Sequence, residues 1–169
     1  MKIVLEVIDS LSEWAGKVGG WFCSILVLIM TTEVIMRYGF NRPTMWSYET
    51  SLMLGASIYF LGLGSGLRRN AHIRVDVFYN LLSPRWRLII DVACTLLLFI
   101  PLFVALTYIS GALALRAWLI HEVSVETNWY PPIAPLKTTI AVGCLIFLFQ
   151  GGAKLFRDSY LLTRKRKYD

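Results

Sequence analysis

Four apolar stretches, each the length of a bilayer crossing, constrain this chain more than anything else in it. They run over about residues 18–36, 46–67, 88–115 and 138–156. A helix needs roughly 20 consecutive apolar residues to cross a hydrocarbon core. Within lipid every backbone N–H and C=O must find its partner inside the protein, so only helices and closed barrels cross. The strict alternation of a barrel strand is absent. The spacing therefore predicts an all-α integral membrane protein with four transmembrane helices. Composition agrees, with 56% of the 169 residues hydrophobic and a mean hydropathy of +0.58.

Charge sets the expected orientation. Of the seventeen lysines and arginines, four fall on one side of the four crossings: Arg37, Arg42, Arg116 and Lys137. The other thirteen fall on the side of the termini. Cytoplasmic loops carry the excess of Lys and Arg, so both termini are expected in the cytoplasm. The basic tail over residues 157–169, with Arg164-Lys165-Arg166-Lys167, suits anionic lipid headgroups better than nucleic acid. The mixed charges of residues 1–17 argue against a cleaved signal, so the first stretch is expected to stay in the protein. That segment places Val4, Val7, Ile8, Leu11, Trp14 and Ala15 at helical spacing. It reads as an amphipathic helix on the inner membrane surface or against a partner. Ile73, Val77, Phe78, Leu81 and Leu82 suggest a second interfacial helix. Ser83-Pro84 reads as a cap with proline opening the next helix. Pro101 predicts a kink in the third span, and Gly62-x-x-x-Gly66 a close helix approach in the second. The whole of 1–169 reads as one four-span domain.

The chemistry is sparse. Cys23, Cys94 and Cys144 lie in spans without ligand-like spacing and read as small hydrophobes. His72 and His121 fall on opposite faces, so they cannot share a haem or a metal. No phosphate-binding loop is present; Gly62-x-Gly64-x-Gly66 lies in a span and lacks the lysine. No nucleophile–base spacing suggests an enzyme. Glu33 sits one turn before Arg37, at ion-pairing distance along a helix. Gln150 is the one strongly polar side chain well inside a span, whereas a transporter acting alone carries polar groups near the midplane. The residues describe an accessory or scaffold subunit whose polar edges meet another protein. The alternatives are a membrane anchor for a redox complex and a small stand-alone exporter of the multidrug type.

The pattern Arg37-Tyr-x-Phe-Asn41-x-Pro-x-x-Trp46-x-x-Glu49 resembles the first outer loop of the small membrane subunit of tripartite ATP-independent periplasmic (TRAP) transporters. His72-Ile-x-Val-Asp76 resembles the family's inner loop. Pro135-x-Lys137, followed by an apolar span with Gln150, resembles its last crossing. The resemblance implies a cytoplasmic-membrane protein that scaffolds a large multi-span subunit. It implies sodium-driven import of a small organic acid, such as sialic acid or a C4-dicarboxylate, delivered by a periplasmic binding protein. Substrate and sodium sites are then expected on the large subunit, leaving this chain without a cofactor. In that setting Arg37, Asn41, Trp46 and Glu49 are expected to order the outer loop by charge-assisted hydrogen bonds, or simply to anchor it at the interface. His72 and Asp76 either pair on one helix face or meet the large subunit. Trp129 and Lys137 are candidates for the surface where the delivery protein docks.

Overall fold

The computed structural model describes residues 2–69 and 83–164 and is all-helical there, apart from one isolated β-bridge. Helix α1 spans Lys2–Val34 and passes into a π-helical turn over Ile35–Gly39. Helix α2 is Trp46–Arg68. Helix α3 (Pro84–Cys94), a π turn (Thr95–Phe99) and helix α4 (Ile100–Leu119) follow one another without a gap. Helix α5 is Ala134–Arg164. Four helical stretches are long and apolar enough to cross a membrane: Ile3–Gly39, Trp46–Arg68, Arg85–Leu119 and Ala134–Leu162. Asp9 of α1, Arg68 of α2 and Arg157 of α5 stand together at one end of the helices, the terminal end. That terminal end is opposite the turn end, which carries residues 37–49 and 120–133. The second amphipathic segment expected from the sequence lies outside the described residues.

Residues 2–17 are not a separate element. They are the first half of α1, which has no break at Val18. At about 1.5 Å per residue the 33-residue helix is some 50 Å long, against about 30 Å of hydrocarbon. Glycines 16 and 19 would weaken an isolated helix, but here they lie against α2. A Cβ on Gly16 would stand 2.6 Å from Ser65 Oγ, and one on Gly19 would stand 3.6 Å from the Ile58 carbonyl. Close packing with α2 thus runs through the two glycines where a break was expected.

Helix α5 is the central element, touching each of the other four helices, whereas α1 packs mainly on α2 and then on α5. The buried apolar centre is small: Ala15, Leu61 and Ile146, with Val18 and Phe22 against it. Phe99, Phe103 and Phe147 form a second cluster with ring centroids 4.6–5.0 Å apart. Outside it the Leu96-Leu97-Leu98 run is exposed, as a face meeting lipid or another protein can be.

Three local expectations change. The close approaches are not at Gly62 and Gly66, where an added Cβ meets nothing within 4 Å. In α2 the close approach is at Gly64, where an added Cβ would stand 3.0 Å from Ile146 Cγ2; in α5 Gly143, 2.7 Å on the same measure from the Phe60 carbonyl, and Gly151, against the Phe99 ring, are close as well. The spacing of small residues was read correctly as a packing signal, but the face was displaced by two residues. Pro101 is accommodated by the π turn just before it, where Ile100 N–H donates to the Thr95 carbonyl. A π turn is a known way to relieve a disturbed i→i−4 ladder. Ser83 does precede a proline-led helix, but its side chain makes no capping bond.

Candidate functional site

The polar side chains gather at the two ends of the helices. At the turn end, the π turn lets α1 finish in a tight reversal. Arg42 N–H donates to the Met36 carbonyl at 2.9 Å, and Asn41 adopts φ 51°. That left-handed conformation is several-fold enriched in asparagine among side-chain-bearing residues. Asn41 therefore serves the turn through its backbone, and its side chain has no hydrogen bond among the described residues.

Glu33 organises the turn. Its Oε1 accepts from Arg37 Nε at 3.1 Å and Nη2 at 2.7 Å, and its Oε2 accepts from Thr44 N–H at 3.1 Å and from the Thr44 hydroxyl. The carboxylate is shielded, with 8% of its side chain exposed, while Arg37 stays 53% exposed. Ser47 Oγ donates to the Thr44 carbonyl at 3.2 Å and links the turn to the first turn of α2. Trp46 opens that helix, is partly exposed, and accepts at its carbonyl from Thr50 Oγ1.

Glu49 lies in the same turn of α2 but belongs to a different connection. It is 2% exposed and accepts from the Thr127 hydroxyl, 78 residues away in the second loop. Its other oxygen has no hydrogen-bond partner among the described residues. Arg37 and Glu49 are thus not a pair: one is held by Glu33, and the other fastens the loop after α4.

That loop is a short hairpin. Helix α4 ends with His121 at φ 49° and Glu122 N–H donating to the Ala117 carbonyl at 3.0 Å, the geometry of a Schellman stop. Val123 and Pro132 then form an antiparallel bridge, with Ser124 N–H on the Pro131 carbonyl at 2.8 Å. Pro131 and Pro132 stay outside any helix, and Pro135 falls in the first turn of α5. Lys137 Nζ meets Glu122 Oε2 at 2.6 Å and closes the hairpin base. Trp118 Nε1 donates to Thr138 Oγ1 at 2.9 Å. Trp129, at the hairpin tip, is half exposed, and its backbone N–H donates to Thr127 Oγ1 at 3.3 Å. Lys137, expected at a docking surface, is engaged within its own chain.

At the terminal end Gln150 is 1% exposed. Its Oε1 accepts from Ser12 Oγ at 2.9 Å, and its Nε2 donates to Asp9 Oδ1 at 3.0 Å. Arg157 grips the same carboxylate with both terminal nitrogens, at 3.3 and 2.7 Å. Arg68, from the end of α2, pairs with Glu13 at 2.5 Å and stands 3.8 Å from Asp9. This polar clasp joins α1, α2 and α5. It turns the polar side of the N-terminal segment inward and leaves Ile3, Val4, Val7, Leu11 and Trp14 exposed.

His72 and Asp76 lie outside the described residues. Among the candidates that are described, only Gln150 stands apart from the turn end. The sequence reading did not single out Asp9, Ser12, Thr44, Glu122, Thr127 or Arg157. One signal was present: Asp9 and Ser12 share a helix face, as do Gln150 and Arg157 two turns apart.

Comparison with known proteins agrees with this architecture. Residues 26–160 match the family described as tripartite ATP-independent periplasmic transporters, DctQ component. The C4-dicarboxylate TRAP transporter small permease protein DctQ of Vibrio cholerae is 32% identical over 125 residues, covering 72% of this chain and 48% of that one. The sialic acid TRAP transporter permease protein SiaT of Haemophilus influenzae is 27% identical over 99 residues, 59% of this chain but 16% of that protein. The sialic acid TRAP transporter small permease protein SiaQ of Vibrio cholerae is 20% identical over 164 residues, 96% and 89% of the two chains. The chain thus spans about half of the first relative, a small part of the second and most of the third. With four membrane-length helices and a family profile over most of its length, the chain belongs to the DctQ component family of TRAP transporters: a multi-pass inner-membrane transporter subunit, not an enzyme.

Proposed function

We propose that this chain is the small membrane subunit of a sodium-coupled TRAP transporter that imports a small organic acid. It braces a large multi-span subunit that carries the substrate and sodium sites, and a periplasmic binding protein delivers the substrate. The observation that carries this reading is how the polar groups are used. Glu33, Glu122, Lys137, Asp9 and Gln150 are each bonded within the chain, and Glu49 holds a loop, while long apolar faces of α1 and α4 stay exposed. Such an arrangement stiffens helices and offers surface, which suits a scaffold. The Haemophilus permease supports a large partner, since a segment similar to this chain makes up a small share of one longer polypeptide there.

In this reading the turn end faces the periplasm and both termini face the cytoplasm, which the distribution of Lys and Arg supports. Trp129 at the hairpin tip is the side chain best placed to meet the binding protein. The relatives with C4-dicarboxylate and sialic acid in their names mark the chemical range, a small carboxylate in either case. Reconstitution tests the proposal. Sodium-dependent uptake into vesicles is expected only when this chain, the large subunit and the binding protein are all present. Full uptake by the large subunit and binding protein without this chain overturns it, as does a purified chain that moves substrate alone.

A further inference from the structure

Helices α1 and α2 are tight at the terminal end and open toward the turn end. Near their terminal ends Gly16 and Gly19 of α1 meet Ser65 and Ile58 of α2. Toward the turn end a groove of about 590 Å³ lies between them, within the range of about 300–1,000 Å³ seen for small-molecule sites. Its floor is mostly apolar, formed by Leu26, Met30, Leu52, Gly55 and Ala56 with Ser51 Oγ turned onto Met30 Sδ, and its mouth carries Glu33, Arg37, Ser47 and Tyr48. The floor belongs to the membrane-spanning parts of both helices, and the mouth lies where the span ends. This polarity profile is that of an acyl chain below a headgroup.

The mouth also carries the right charge. Guanidinium offers five N–H donors in a planar fork. Arg37 uses Nε and one Nη2 hydrogen on Glu33, so the Nη1 hydrogens remain, on a side chain that is 53% exposed. The ion pair fixes the fork without hiding it. Glu33 cancels one positive charge; exposed Arg42, in the same turn, adds a second cation with no ion-pair partner among the described residues, while Glu49, the other carboxylate nearby, is buried against the second loop. We propose that this groove binds one anionic phospholipid, its phosphate on the Arg37 fork and an acyl chain lying along Leu26, Met30, Leu52 and Ala56. Bidentate arginine–phosphate contacts are among the stronger hydrogen-bonded pairs. The site needs only this chain and a bilayer, and does not rest on the partner reading above.

Native mass spectrometry of the purified full chain, mixed with phosphatidylglycerol or phosphatidylethanolamine, tests it. Gly55→Leu fills the groove from a position where an added Cβ meets nothing within 4 Å, so helix packing is kept. Arg37→Gln removes the headgroup contact. The wild-type chain is expected to retain one phosphatidylglycerol in preference to phosphatidylethanolamine. Gly55→Leu is expected to retain about tenfold less, and Arg37→Gln to lose the preference, since tenfold corresponds to about 1.4 kcal/mol. Equal retention of the two lipids by the wild-type chain overturns the proposal even if a variant fails to fold. So does unchanged retention in Gly55→Leu. If Gly55→Leu releases the large permease and leaves lipid retention unchanged, the groove is a protein interface and the proposal fails.

Discussion

The two ends of this molecule solve the same physical problem differently. Both must hold charged groups beside hydrocarbon, where an unpaired charge is costly. The turn end does so mostly with near neighbours: Glu33 takes its partners from four and eleven residues away. The terminal end reaches across the whole chain, with Gln150 and Arg157 bonding to residues 138 to 148 positions earlier. The first arrangement shapes a loop. The second decides how three helices stand together. A local network can therefore be lost with the helices still packed, whereas loss of the clasp should loosen the fold.

Asp9→Ala gives the largest expected effect. It leaves Arg157 without its carboxylate and removes one of Gln150's two partners. Charged hydrogen bonds of this kind carry about 1.5–3 kcal/mol, and a loss of about 2 is expected, visible as a lower melting temperature in detergent. If a glutamate or arginine lost at the turn end costs as much as Asp9, the contrast between the ends collapses.

Glycine substitutions sharpen the same contrast within the helices. Gly143→Ala pushes a Cβ against the Phe60 backbone carbonyl, where α5 meets α2. Overpacking a core costs about 1–3 kcal/mol. Gly62→Ala meets open space and is expected to be neutral, or to stabilise by up to about 1 kcal/mol through helix propensity. Paired melts of the two variants decide which glycine face is the packed one.

At the turn end, Glu49→Ala frees the second loop from α2 at a cost of about 1 kcal/mol. Faster amide exchange over residues 120–133 is the readout. Combining it with Thr127→Ala should add little beyond the long Trp129 N–H bond that Thr127 Oγ1 also accepts, because both variants break the same Glu49–Thr127 bond. Combining it with Arg37→Ala should be additive within about 0.5 kcal/mol. A strong coupling between Arg37 and Glu49 would join the two networks that the structure separates. The smallest effect belongs to Lys137→Ala. Its pair with Glu122 is partly exposed, and such pairs contribute about 0–1 kcal/mol and weaken with salt. A melting shift that vanishes at high salt is expected.

Much of the local chemistry was legible before any tertiary contact. Glu33 and Arg37 are one turn apart, and helix geometry alone brings them together. Proline content kept residues 131–132 out of a helix. The π turn before Pro101 was legible only as a disturbance, because a proline says that the ladder must change and not how. The N-terminal segment was legible as amphipathic, yet its polar face points inward. Amphipathic helices normally turn their polar side to water; here that side meets Gln150, Arg157 and Arg68 on two other helices. Asn41 was read for a side-chain bond, whereas what the fold shows is its left-handed backbone conformation.

The sequence by itself determined that this chain carries four helices long and apolar enough to cross a membrane and that its cations lie mostly outside the two connections at the turn end. Those properties depend on segment length and hydropathy, summed along the chain and nearly independent of neighbours. It also carried the motifs of the family. Tertiary structure alone decided that Gln150 closes on Ser12 and Asp9, that Glu49 answers Thr127 and not Arg37, and that Gly64, not Gly62 or Gly66, is the contact glycine of α2. Each depends on the rotation and offset of one helix against another. In lipid those are set by the fit of small surfaces and a few hydrogen bonds, each contributing only about a kcal/mol, and no single segment carries that information.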